Sequence, residues 1–242
     1  MKNNKLNIII TGGGTSIGAY LAEKLAKKNK VFVLDIKFRL KKNKNIFNYH
    51  CDVTNQAMVK KTINSIYKKF ENVDILINNA GWIASHPIYN PLKKNKIHSM
   101  TLWNKILAVN VGSVFNCTSL FCAKQIENRK KGLIINFSSI SGNGAPNQSA
   151  YATAKAGVKA LTATLSKELA VYNIRTACIS PGIVDSDSTR KDLNSLHEKR
   201  WKNLIPLKRF ATLEEIFSCV EFVIKNDYFN GKCLRIDGGL EY

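Results

Sequence analysis

Seven short apolar, β-branched runs recur along the chain, at residues 6–11, 31–35, 47–52, 73–78, 132–138, 174–180 and 232–237, and each reads as a buried strand. Between them the apolar positions change period. Ile17, Leu21 and Leu25 fall on one helical face, as do Val59, Ile63, Ile66 and Phe70, and again Ile216, Val220 and Val223. A strand that is apolar on both sides needs cover on both sides, and the intervening helices supply it. The pattern predicts a Rossmann-type, doubly wound α/β fold, a parallel sheet of about seven strands with helices on both faces, with residues 1–242 forming one domain. Two stretches break the alternation. Residues 83–100 hold two prolines and little periodicity and are expected to form a loop. Residues 185–205 follow a Pro-Gly turn and are polar, then weakly helical. Both come after strand C-termini, the side on which open α/β sheets bind ligands, so both are expected to border a substrate.

Composition changes this picture little. At 242 residues and 45% hydrophobic, the chain is long and apolar enough for one α/β domain. No unbroken apolar run reaches about 18 residues, so no membrane span is expected. The N-terminal apolar run is too short for a signal peptide, which points to a cytoplasmic protein. Six cysteines show no C-x-x-C pair and no metal-ligand spacing with the four histidines, so they read as reduced core residues and no metal site is expected. The formal net charge is +20, but the basic residues are mostly scattered lysines. The densest cluster, K37-F-R-L-K-K-N-K44, lacks the interleaved aromatics of a base-stacking surface. A compositional bias is the plainer reading, and no nucleic-acid partner is expected.

The candidate chemistry starts where the first strand runs into T11-G-G-G-T-S-I-G18. Gly12 and Gly18 permit a tight turn and close approach to a pyrophosphate, and Thr15, Ser16 and Ile17 lead into a helix whose N-terminus favours negative charge. The second strand ends at Asp35, where a carboxylate can accept hydrogen bonds from both adenosine ribose hydroxyls and repel a 2′-phosphate. NAD(H) is therefore expected in preference to NADP(H), with Lys37 and Arg39 the cations that argue the other way. Asp52 and Val53 close the third strand where an adenine would lie. Asn79, Ala80 and Gly81 close the fourth, with a glycine where a nicotinamide ribose needs room. Further on, Y151-A-T-A-K155 places a phenol and an ammonium on one helical face. A phenol is a poor acid–base group at neutral pH, and a fixed cation nearby favours the phenolate.

In this order the signals resemble the short-chain dehydrogenase/reductase family along the whole chain: the glycine turn, Asp35, D52-V53, N78-N-A-G81, V109-N-V-G-S-V-F115, I135-N-F-S-S139, Y151-x-x-x-K155, S180-P-G182 and I236-D-G-G239. The resemblance implies that Tyr151 is the catalytic acid/base, that Lys155 lowers its pKa and holds the nicotinamide ribose, and that Ser139 hydrogen-bonds the reacting oxygen. It implies that Asn110 fixes a water linking Lys155 to solvent. It also places Pro181, Gly182, Ile183 and Ser186 against the nicotinamide carboxamide. Ser139 lies 12 residues before Tyr151, one fewer than the family spacing, and Ser138 would restore it; S139-I-S-G142 matches the family's S-x-x-G phrase and favours Ser139. Ser16 stands where the family usually has Gly or Ala.

Three stretches resemble the NAD-dependent type 2 3-hydroxyacyl-CoA dehydrogenases: Y89-N-P-L-K-K-N-K-I-H98, L196-H-E-K199 with I205-P-L-K-R-F210, and N226-D-Y-F-N-G-K-C-L-R-I-D-G-G239. They imply a 3-hydroxyacyl or 3-oxoacyl CoA thioester as substrate, with Lys93, Lys94 and Lys96 as candidates for the CoA phosphates. The alternatives are a 3-oxoacyl-acyl-carrier-protein reductase and a sugar, polyol or steroid alcohol dehydrogenase. A non-enzymatic nucleotide-sensing or RNA-binding role is disfavoured because Ser139, Tyr151, Lys155 and Asn110 are all present. A homotetramer or homodimer is implied by the same resemblance.

Overall fold

A computed structural model describes residues 5–241. Seven parallel strands form one sheet in the order β3-β2-β1-β4-β5-β6-β7: β1 Asn7–Thr11, β2 Lys30–Asp35, β3 Ile46–His50, β4 Ile75–Asn78, β5 Gly132–Phe137, β6 Ile174–Pro181 and β7 Cys233–Ile236. The doubly wound parallel sheet expected from the sequence is what forms. The order reverses between β1 and β4, which opens a crevice beyond their C-terminal ends.

The period-2 alternation of each strand divides the core between the two faces. On one face Ile8, Ile10, Val31, Val33, Ile75 and Ile77 pack against Leu21 and Leu25 of α1 (Ser16–Leu25) and Ile216 and Val220 of α8 (Leu213–Lys225). On the other, Ile9, Phe32, Leu34 and Leu76 meet Val59, Ile63 and Ile66 of α2 (Gln56–Phe70) and Cys117 and Phe121 of α4 (Ser113–Glu127). Helix α5 (Ser149–Glu168) lies on this second face, where its Val158 packs with Val114 and Cys178. A buried polar ladder crosses the same layer. Asn78 donates to Asn136 Oδ1 (2.9 Å) and Thr118 Oγ1 (3.0 Å), and Asn136 donates to Thr162 Oγ1 (3.0 Å), so both side-chain NH2 groups are paired away from water, while Asn78 Oδ1 is buried without a partner.

Helix α3 (Met100–Leu107) runs into α4 through a π-turn at Ala108–Gly112. The combined helix, Met100–Glu127, is long and apolar enough by length and composition to cross a membrane, although Asn110, Ser113, Asn116 and Thr118 interrupt its apolar run. Ile106, Val114, Cys117 and Phe121 turn its apolar side onto the protein.

Residues 83–99 are irregular apart from an antiparallel bridge between Tyr89 and Ile97, and Met100 already starts α3. Residues 185–205 are more helical than their polarity suggests. They form α6 (Asp187–Asp192) and α7 (Ser195–Leu204), started by Ser186 and Asn194 as N-caps accepting from the amides of Thr189 and His197. Five cysteines are buried, as expected of core residues; Cys233, on the edge strand β7, is exposed.

Candidate active site

The crevice is lined at one end by the glycine turn. Gly12 has φ +61°, and a Cβ there would lie 2.7 Å from Ala80 Cα, so turn and β4 exit are in direct contact. Thr11, which the sequence did not single out, joins them: its Oγ1 accepts from the amides of Asn79 (3.2 Å) and Ala80 (3.1 Å). The Asn79 side chain donates back to Thr11 O and Gly12 O, so it holds the turn's backbone. At the head of α1, Thr15 is the N-cap residue but makes no side-chain cap, and the first turn has no acidic residue. That leaves first-turn amides for an anion such as a diphosphate.

Asp35 lies across this turn. Its Oδ2 accepts from Gly14 N (2.8 Å), and its Oδ1 accepts from Ile36 N (2.7 Å) and Lys37 N (3.1 Å). The chain after β2 then folds back, with Arg39 N donating to Gly14 O (2.8 Å). A Cβ on Gly14 would fall 1.9 Å from Lys37 O, which explains a third glycine there. The Lys37 and Arg39 side chains are exposed. Beyond β3, Asp52 Oδ1 accepts from Thr54 N and Thr54 Oγ1, and Val53 is buried.

At the crevice's other end, α5 carries Tyr151 and Lys155. The Lys155 ammonium is buried, donates to Phe137 O (2.9 Å) and lies 5.6 Å from the centre of the Tyr151 ring. Burial pulls the Lys155 pKa down to about 8. The π-turn brings Asn110 to the same place: its Oδ1 accepts from Trp82 N (3.1 Å), and its Nδ2 donates to Trp82 O (2.8 Å) and Ile106 O (2.9 Å). Gly81 is the meeting point, since a Cβ there would be 3.0 Å from Asn110 Oδ1 and 3.4 Å from Lys155 Nζ. A larger residue would fill the space beside both groups.

The two adjacent serines have different surroundings. Ser138 is buried and donates to Lys155 O (2.7 Å), which ties β5 to α5. Ser139 is half-buried, and its Oγ accepts from Ser141 N (3.2 Å) at the start of a 3-10 turn, Ile140–Asn143. Beyond β6, buried Pro181 leads to Gly182, where a Cβ would lie 2.8 Å from Asp237 Cα; Ile183 O accepts from Ala211 N (2.9 Å). Ser186 is buried, and a hydroxyl chain runs from Ser186 through Ser188 to Ser16, each step 2.9 Å, joining α6 to the glycine turn. Lys93, Lys94 and Lys96 are all exposed.

A crevice with anion-seeking amides at one end and a phenol–ammonium pair at the other is the layout of a nicotinamide-dependent oxidoreductase that interconverts secondary alcohols and ketones. The chain belongs to the short chain dehydrogenase family, whose pattern it matches over residues 6–197. It is 32% identical to 3-oxoacyl-acyl-carrier-protein reductase FabG of Buchnera aphidicola subsp. Baizongia pistaciae, an alignment covering 99% of each chain. It is 34% identical to the Thermotoga maritima protein of that name, over 79% of this chain and 76% of the relative. Among solved structures, the ligand-free aldohexose dehydrogenase of Thermoplasma acidophilum superposes with a TM-score of 0.86 at 27% identity, covering 98% of this chain and 94% of the other. A short chain dehydrogenase from Bacillus anthracis gives 0.85 at 29% identity, with 96% and 95% covered.

Proposed function

We propose that the chain is a cytoplasmic reductase of 3-oxoacyl thioesters borne on an acyl-carrier protein, working with NADH in preference to NADPH. The observation that carries the chemistry is the buried Lys155 ammonium beneath the Tyr151 ring, with Asn110 and Gly81 beside it. The nicotinamide supplies the hydride. As the carbonyl carbon is reduced, its oxygen gains negative charge; Tyr151 gives that oxygen a proton, and Ser139 Oγ donates a hydrogen bond to it. Ser138 is disfavoured for this task because its hydroxyl is already given to the Lys155 carbonyl. The Lys155 cation stabilises the phenolate left on Tyr151 and holds the nicotinamide ribose, while Asn110 holds a water that returns a proton to Lys155.

Gly12, Thr15, Ser16, Ile17 and Gly18 would hold the diphosphate, Asp35 the adenosine ribose, Asp52 and Val53 the adenine, and Ala80 and Gly81 the nicotinamide ribose, with Asn79 supporting the turn. Pro181, Gly182, Ile183 and Ser186 would face the carboxamide. The Asp35 carboxylate against Gly14 N supports NADH, since a 2′-phosphate would meet a second negative charge. The relatives' names favour a carrier protein over the CoA thioester suggested by the three sequence stretches. A basic chain also suits an acidic carrier. A homotetramer or homodimer fits the family resemblance.

The test is a reduced-nicotinamide oxidation assay of purified enzyme with acetoacetyl-carrier protein and acetoacetyl-CoA, each with NADH and NADPH. Higher kcat/KM for the carrier-protein substrate with NADH is expected. Preference for CoA refutes the carrier reading, and preference for NADPH refutes the role given to Asp35.

A further inference from the structure

Cys178 and Cys233 lie 55 positions apart in the sequence but are direct partners in the register of β6 and β7. Partners in adjacent parallel strands point to the same face, with backbones about 4.8 Å apart. That spacing is within the range of about 4.4–6.8 Å over which a disulfide joins two Cα atoms. Their sulfurs are 3.3 Å apart, inside ordinary contact for two unbonded sulfurs. No other residue stands between them, and neither is used in the reduction.

We propose that Cys178 and Cys233 form a reversible oxidation site, a dithiol that peroxide-class oxidants convert to an intramolecular disulfide stapling edge strand β7 to β6. The two thiols have unequal parts. Cys233 is exposed at the sheet edge, whereas Cys178 is buried under Val158 of α5. Contact with the Cys178 sulfur, with Lys159 near by, pulls the Cys233 thiol down; the same contact, together with burial, pushes Cys178 up. Cys233 is thus the thiolate that meets the oxidant. Its sulfur attacks the peroxide, forming an S–O bond as the O–O bond breaks, and the departing hydroxide leaves as water. Cys178 then attacks the Cys233 sulfenic acid, forming the S–S bond and expelling a second water with the Cys178 proton. Two thiols are oxidised by two electrons and one peroxide is reduced to two waters. A small-molecule thiol reverses the bond by exchange. The bond encloses α6, α7 and α8 in one covalent loop.

The intact full-length enzyme treated with hydrogen peroxide is expected to lose about 2 Da and, once alkylated and mapped without reduction, to yield a peptide joining residues 178 and 233. It should melt about 5–15 °C higher than the untreated protein, and dithiothreitol should return both values. The conservative variant Cys233→Ser, at an exposed position, should abolish the mass loss while keeping the melting temperature of the reduced protein. Three results overturn the proposal: Cys178 still alkylates after Cys233 has gained two or three oxygens, the cross-link joins two chains, or the mass loss survives in Cys233→Ser.

Discussion

Replacing Lys155 by methionine removes a buried charge without removing much volume, so it separates the cost of the site from its use. The ammonium has a pKa of about 8 in the folded chain against an ordinary 10.5, and that difference corresponds to about 3 kcal/mol. The group is almost fully buried, so solvent does not screen this cost away. Methionine leaves Phe137 O without its donor, which costs about 1–3 kcal/mol. Lys155→Met is therefore expected to be more stable than the wild type by about 1 kcal/mol at neutral pH, a rise in melting temperature of about 2–4 °C. The pH dependence has a definite sign. Below pH 8 both folded and unfolded chains carry the protonated lysine, and the full penalty weighs on the folded state. From about pH 8 to 10.5 the folded chain releases the proton first, so the wild type gains stability relative to the variant. By about pH 9.5 the wild type recovers about 2 kcal/mol and the advantage of the variant is gone. Urea unfolding of both proteins at neutral and alkaline pH measures this directly. A variant less stable at pH 7, or a stability gap that does not shrink with rising pH, refutes the reasoning. Reductase activity should fall at least about 100-fold in either case.

Tyr151→Phe keeps the ring over Lys155 but removes the proton donor, so kcat should drop about 100- to 10,000-fold while NADH affinity by fluorescence titration changes little. Gly14→Ala puts a methyl 1.9 Å from a backbone oxygen, where no rotamer relieves it; a stability loss of about 1–3 kcal/mol and at least tenfold weaker NADH binding by calorimetry are expected. Ser16 occupies the left-handed region at φ 52°, so Ser16→Gly should raise the melting temperature by about 2–4 °C despite losing the bond to Ser188. A lower melting temperature for Ser16→Gly would mean that the hydroxyl chain to α6 outweighs the backbone strain.

Local sequence determined the scaffold. Strand and helix periods, the glycine turn, Asp35 at a strand end and the i, i+4 pairing of Tyr151 with Lys155 depend on neighbours within one or two elements, so spacing alone expresses them. Residues 185–205 are more helical than their weak apolar period predicts, because the side chains of Ser186 and Asn194 cap the helix starts that follow them. Tertiary structure decided the rest. Only packing buries Lys155 beside Phe137 O and lowers its pKa, and only the π-turn aims Asn110, already marked by its sequence stretch, at Gly81. Thr11 acts through amides 68 and 69 residues away, and Ser138 differs from Ser139 because its hydroxyl reaches the Lys155 carbonyl on α5. The contact of Cys178 with Cys233 follows from the register of two strands separated by three helices. Periodicity records which side of an element is buried; which partner meets it there is set by how the sheet is wound.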